Sequence, residues 1–107
     1  MTWPARRSKY NARKTVVEGR TFHSRKEAER YLVLREEQRQ GAIHALKCQV
    51  RYPLRVGADL ITTYIADFVY VRKGQIIVED VKGCVTALYL IKKRLLKVLY
   101  GIEVLET

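Results

Sequence analysis

Two runs with the composition of β-strands, "LITTYIADFVYVR" (60–72) and "QIIVEDV" (75–81), are separated by Lys73-Gly74 alone. Both are rich in β-branched and aromatic residues, and a Gly in a two-residue gap is a hairpin signal. A two-residue loop makes Arg72 face Gln75, and the same antiparallel pairing carried along the strands makes Asp67 face Asp80. Period-two alternation sets both acids on one side of the sheet with Lys82, and turns Glu79 to the other side as a structural residue. Like charges opposite one another destabilise a sheet. A divalent cation removes that conflict, since Mg²⁺ takes hard oxygen ligands and is often held by one or two carboxylates with phosphate oxygens. A lysine beside it is suited to stabilising charge on a phosphate. A three-residue loop would slip the register and part the two aspartates, leaving ordinary solvated acids at strand ends.

The remaining chain supplies a frame for this hairpin. In "HSRKEAERYLVLREEQRQG" (23–41), Ser24 is an N-cap and Glu27 completes a capping-box spacing. Ala28, Tyr31, Leu32, Leu34 and Arg35 fit an amphipathic helix that stops at Gly41. A strand is expected from about Lys47 onward. "TALYLIKKRLLKVLY" (86–100) is a second helix, with Leu88, Ile91, Leu95 and Val98 as one apolar stripe. Gly101 ends it, and "IEVLE" (102–106) reads as a short last strand. The order α-β-β-β-α-β predicts an α/β fold, a mixed sheet flanked by helices. Residues 1–20 form a basic arm and 21–107 the domain proper; "TVVEGRTF" (15–22) can make a short hairpin leading into the first helix.

With 21 Lys and Arg against 11 Asp and Glu, the net charge of +10 on 107 residues points to a polyanion, with nucleic acid foremost. The arm contributes Arg6, Arg7, Lys9, Arg13 and Lys14 as candidate phosphate contacts. The second helix adds Lys92, Lys93 and Lys97, with Tyr89 one turn before them as a residue for stacking, hydrogen bonding or core packing. No apolar run approaches the ~20 residues of a membrane span, and no signal peptide is evident at the start. Cys48 and Cys84, with His23 and His44, match no zinc spacing and are expected to be small thiols in a reducing cytoplasm.

"IAD", a spacer turning through a hairpin, "EDVKG" and a basic helix together resemble the half-motifs of the PD-(D/E)XK nuclease superfamily. The corresponding positions are Asp67, Asp80, Val81 and Lys82, and Glu27 in an upstream helix resembles the Holliday-junction-resolvase and endonuclease-I branch. Most of the chain is similar to a phage family of small nucleases long labelled a domain of unknown function. The matching blocks include "SKYNARKT", "GRTFHSRKEAERY", "GAIHALKCQ", "YIADFVY" and "VEDVKG", in that order. Ala66 stands where a proline is common, Asp80 where glutamate is, and Ala87 where the second helix would start with proline.

The resemblance implies a restriction-endonuclease-like core in which Glu27, Asp67 and Asp80 hold Mg²⁺ or Mn²⁺ with the Val81 carbonyl. It makes Lys82 the catalytic lysine and puts Gln49 near the site. It further implies hydrolysis of a DNA phosphodiester, branched duplex or a Holliday junction as substrate, a homodimer, and no organic cofactor. A non-catalytic nucleic-acid-binding module, or a nuclease subunit of a larger recombination or packaging complex, is the competing expectation.

Overall fold

A computed structural model of the chain describes residues 14–82 and 85–107. The first strands, β1 (Thr15–Val17) and β2 (Arg20–Phe22), pair antiparallel as a separate two-stranded sheet. Glu18 and Gly19 between them both have positive φ (52° and 79°), the backbone twist that suits a tight hairpin. Val17 packs against the core and Glu18 accepts a hydrogen bond from Tyr31 and an ion pair from Arg35. The arm's expected boundary at residue 20 therefore cuts through a hairpin that is tied to the body.

Helix α1 (Arg25–Arg39) begins where Ser24 Oγ accepts the Glu27 N–H at 3.1 Å. It buries Glu27, Ala28, Tyr31 and Leu34, whereas Leu32 stays exposed. Three long strands follow: β3 (His44–Val56), β4 (Asp59–Arg72) and β5 (Gln75–Asp80). Helix α2 (Ala87–Tyr100) is capped by Thr86 and ends at Gly101, whose φ of 69° gives the left-handed stop. The last strand is β6 (Val104–Glu106). The main sheet has the order β3-β4-β5-β6, antiparallel except for the parallel β5–β6 pair, so the fold is α/β with a mixed sheet.

Two apolar clusters share this sheet. Under α1 lie Phe22, Tyr31, Leu34, Ile43, Phe68 and Tyr70, with Cys48 beside them. Under α2 lie Leu54, Tyr64, Ala66, Val78, Leu96 and Val104. Along β4 the change-over falls between Ala66 and Phe68, and along β3 between Cys48 and Tyr52. At that point Gln49 has φ 54°, and the β3–β4 ladder skips from Cys48–Phe68 to Val50–Ala66.

The apolar stripe of α2 does not face the sheet. Leu96 and Tyr89 take the inward side, Leu96 fully buried, and Leu88, Ile91 and Val98 are left 56%, 57% and 68% exposed. Leu95 is half-buried at the rim.

Glu79 is fully buried and satisfied by a network that crosses the fold. Arg30 grips it with Nε at 2.6 Å and Nη2 at 2.9 Å, Tyr70 Oη donates at 2.6 Å, and Thr107 Oγ1 at 3.0 Å. Burial pushes its carboxyl up, but the Arg30 and Tyr70 hydrogen bonds outweigh it and leave the group below its ordinary range. A carboxyl so lowered stabilises the fold above the unfolded-state value, and that contribution disappears as pH falls through the native one. Replacing Arg30 by Met strands a buried charge and should cost about 3–5 kcal/mol, lowering the melting temperature by more than about 10 °C. Adding Glu79→Met should recover most of the loss; thermal melts of the two variants decide it.

Candidate active site

The β4–β5 register runs from Arg72–Gln75 to Phe68–Glu79, with Lys73 and Gly74 both at positive φ (51° and 77°). The expected two-residue turn and pairing are thus present, and the next pair along would be Asp67 with Asp80. There the ladder opens. Val81 N–H donates to Asp67 Oδ2 at 2.8 Å instead of bonding across the strands. Thr107 N–H donates to the Asp80 carbonyl at 3.1 Å, and Lys82 N–H to the Thr107 carbonyl at 2.9 Å, so the end of β6 pins the chain past Asp80.

Asp80 is only 9% exposed, and Asp67 is partly buried beside it. Burial, then the adjoining Asp80 carboxyl and the charge of Glu27, push the Asp67 carboxyl far above the ordinary range; the Val81 N–H opposes them only partly. Lys82 Nζ donates to Asp80 Oδ2 at 2.9 Å and sits 3.3 Å from the centroid of the Tyr89 ring. From the other helix, Lys26 Nζ donates to the Lys82 carbonyl at 2.9 Å.

Glu27 comes from the first turn of α1 and is 3% exposed. One carboxylate oxygen accepts the His23 N–H at 2.9 Å, closing the helix start, and the other accepts Gln49 Nε2 at 2.8 Å. Capping is therefore a role Glu27 performs, and Gln49 is its partner. Tyr64, which the sequence reading passed over, is buried with a hydroxyl that has no hydrogen-bond partner among the described residues. Burial first, then the charge of Asp80, pushes that hydroxyl's pKa up.

The donor set is carboxylate and carbonyl oxygen, the chemistry that suits Mg²⁺ or Mn²⁺. Among the described residues no three His, Cys, Asp or Glu side chains are grouped closely enough to hold a metal ion between them. What the fold brings together is the pair Asp67 and Asp80, with Glu27 close enough to act on Asp67 by its charge. Two carboxylates completed by phosphate oxygens are a common way of binding Mg²⁺, and the Tyr64 hydroxyl, without a partner among the described residues, lies beside Asp80. Val81 follows Asp80 directly, with its N–H committed to Asp67.

The expected phosphate contacts fare unevenly. Lys14 is exposed; Arg6, Arg7, Lys9 and Arg13 lie outside the described residues. Lys92 is half-buried, Lys93 pairs with Glu106 at 2.9 Å, and Lys97 pairs with Glu103. Tyr89 Oη donates to the same Glu106 at 2.6 Å, so its ring packs between Lys82 and the α2–β6 contact. His23 and His44 are exposed. Cys48 is a free, half-buried thiol whose pKa is raised by burial; Cys84 lies outside the described residues. No helix among the described residues is long and apolar enough to cross a membrane.

Fold and site define a small α/β protein with a strained acid pair at the end of a mixed sheet. The chain belongs to the family described as Protein of unknown function (DUF1064), whose model matches residues 7–105. Comparisons with curated proteins and with solved structures gave no match.

A carboxyl raised above its unfolded-state value stabilises the protein fully below that value, and the contribution is lost as pH rises through the native one, here about 9. Metal-free protein should therefore lose stability from mildly acidic to alkaline pH. Asp67→Asn should raise its melting temperature in the alkaline range by several degrees and flatten that slope, as measured by thermal melts across pH. An unchanged slope would show that Asp67 does not carry the strain.

Proposed function

We propose that this protein is a metal-dependent endodeoxyribonuclease. The observation that carries the reading is the meeting of Asp67 and Asp80 from adjacent strands, with Lys82 held on Asp80. The net charge of +10 supports a polyanionic substrate, and the PD-(D/E)XK-like spacing of Asp67, Asp80, Val81 and Lys82 supports phosphodiester hydrolysis. Branched duplex, the Holliday junction foremost, is proposed as substrate on the sequence resemblance alone.

Asp67 and Asp80 would hold the ion, with the Val81 carbonyl following Asp80 and Glu27 behind Asp67. When bound, a divalent ion supplies charge neutralisation at the phosphate and acidifies water for attack on phosphorus. Lys82 is positioned from two sides, by the Asp80 carboxylate and the Tyr89 ring, so its ammonium can donate to a non-bridging phosphate oxygen as charge builds there. Gln49 on β3 donates to the Glu27 carboxylate and so fixes its orientation. That both Glu27 oxygens already accept hydrogen bonds favours a structural share in its role, and Glu27→Gln separates the two. It should stay folded and lose cleavage if Glu27 serves the ion.

The test is cleavage of a synthetic four-way junction beside linear duplex and single strand, with Mg²⁺ or Mn²⁺. Asp80→Ala and Lys82→Ala should each lower the rate by about 10²-fold or more while still binding DNA. Wild-type protein that binds the junction and cuts none of the substrates with either ion would instead mark a nucleic-acid-binding module, or a subunit that needs a partner.

A further inference from the structure

Tyr64 carries a hydroxyl that its surroundings do not use. The residue is 3% exposed, and the hydroxyl has no hydrogen-bond partner among the described residues. The buried side chains of its cluster, Leu54, Ala66, Val78, Leu96 and Val104, carry no polar atom. Tyr89, whose ring centroid lies 6.4 Å from that of Tyr64, has its own hydroxyl committed to Glu106. Phenylalanine would serve the packing better, because a buried hydroxyl without a partner destabilises a fold.

The backbone brings this side chain to the acids. A regular strand points residues three apart to opposite sides of the sheet, which would part Tyr64 from Asp67. Here Tyr64, Ala66 and Val69 all belong to the cluster under α2, and the phase slips where the β3–β4 ladder skips Gln49 and Asp67. Asp67 alternates with Val69, and Asp80 with Val78 of the same cluster, so Tyr64 and both acids share the α2 side. Lys82, bonded to Asp80, lies against the same Tyr89 ring that packs on Tyr64. Asp80 acts on the Tyr64 hydroxyl both by its charge and as an acceptor.

We propose that Tyr64 is a positioning residue of the candidate ion site: its hydroxyl donates to the Asp80 carboxylate when a divalent ion is bound, and fixes the orientation in which Asp80 holds it. The inference rests on the metal-dependent reading above and adds a residue that touches neither ion nor substrate. Lys82 is the side-chain donor to Asp80 in the free protein. Once that ammonium serves a phosphate oxygen, Tyr64 is the donor left to the carboxylate. Ligating carboxylates are usually held by such a further hydrogen bond, and losing it typically weakens metal binding about 10- to 100-fold.

Mn²⁺ binding to the full chain, followed by the electron paramagnetic resonance signal of the free ion, tests this without reading cleavage. Tyr64→Phe removes the hydroxyl and keeps the ring. It should raise the Kd for Mn²⁺ about tenfold or more and leave the metal-free melting temperature equal to or above that of wild type. Tyr52→Phe removes a hydroxyl beside the same cluster on which burial alone acts, and should leave the Kd unchanged. Wild type that binds Mn²⁺, loses it in Asp80→Ala and keeps its Kd in Tyr64→Phe would overturn the role of Tyr64 and leave the metal reading standing. A clearly lower metal-free melting temperature in Tyr64→Phe, or a Tyr52→Phe protein weakened as much, would overturn it by making the effect one of folding or packing. Wild type that binds no Mn²⁺ would overturn the metal reading and this inference together.

Discussion

The site depends on the register between β4 and β5. Because side chains alternate along a strand, a slip of one residue would send Asp67 and Asp80 to opposite sides of the sheet. The register is set at the far end of the hairpin, where Lys73 and Gly74 adopt the left-handed twist of a two-residue turn. It is then carried through five consecutive pairs, Arg72–Gln75 to Phe68–Glu79. At the near end, β6 runs parallel to β5, and Thr107 bonds on both sides of Val81. A turn remote from the acids and a strand beside them thus hold the two carboxyls together against their repulsion.

Neighbouring acids on β5 show two opposite solutions to burial. Glu79 is surrounded by donors from α1, β4 and the chain end, so its charge is stable in the interior. Among the described residues Asp67 and Asp80 have one backbone donor and one lysine between them, and the cost appears as the raised Asp67 carboxyl. The fold is therefore anchored on one side of β5 and electrostatically strained on the other. Strain kept beside a well-satisfied network is characteristic of sites shaped for a ligand. The left-handed Gln49, where the two apolar clusters meet, adds backbone strain at the same place, of order 1–3 kcal/mol for such a residue.

Much of this was legible in local sequence. Lys73-Gly74 specified the turn, and with it the approach of Asp67 to Asp80; Ser24 and Gly101 marked one end of each helix; alternation put Glu79 away from Asp80. Long-range partners were not legible. Arg30 lies 49 positions before Glu79, and Gln49 22 positions after Glu27; no periodicity links such pairs. Tyr64 read as one more strand aromatic, because its burial beside Asp80 comes from a cluster assembled from distant parts of the sequence. The α2 stripe was visible as a pattern, but its direction was decided by Tyr89 and Leu96 docking on Tyr64 and Leu54.

The strained acid pair is tested most directly at the Asp67 carboxyl. Its carbon can be followed by nuclear magnetic resonance through a pH titration of the metal-free protein. The structure predicts a midpoint of about 9, moving toward the ordinary carboxylate range when Asp80 is replaced by Asn. A midpoint near that of a free aspartate, about 4, that Asp80→Asn leaves unmoved would show that the two acids do not share one buried place.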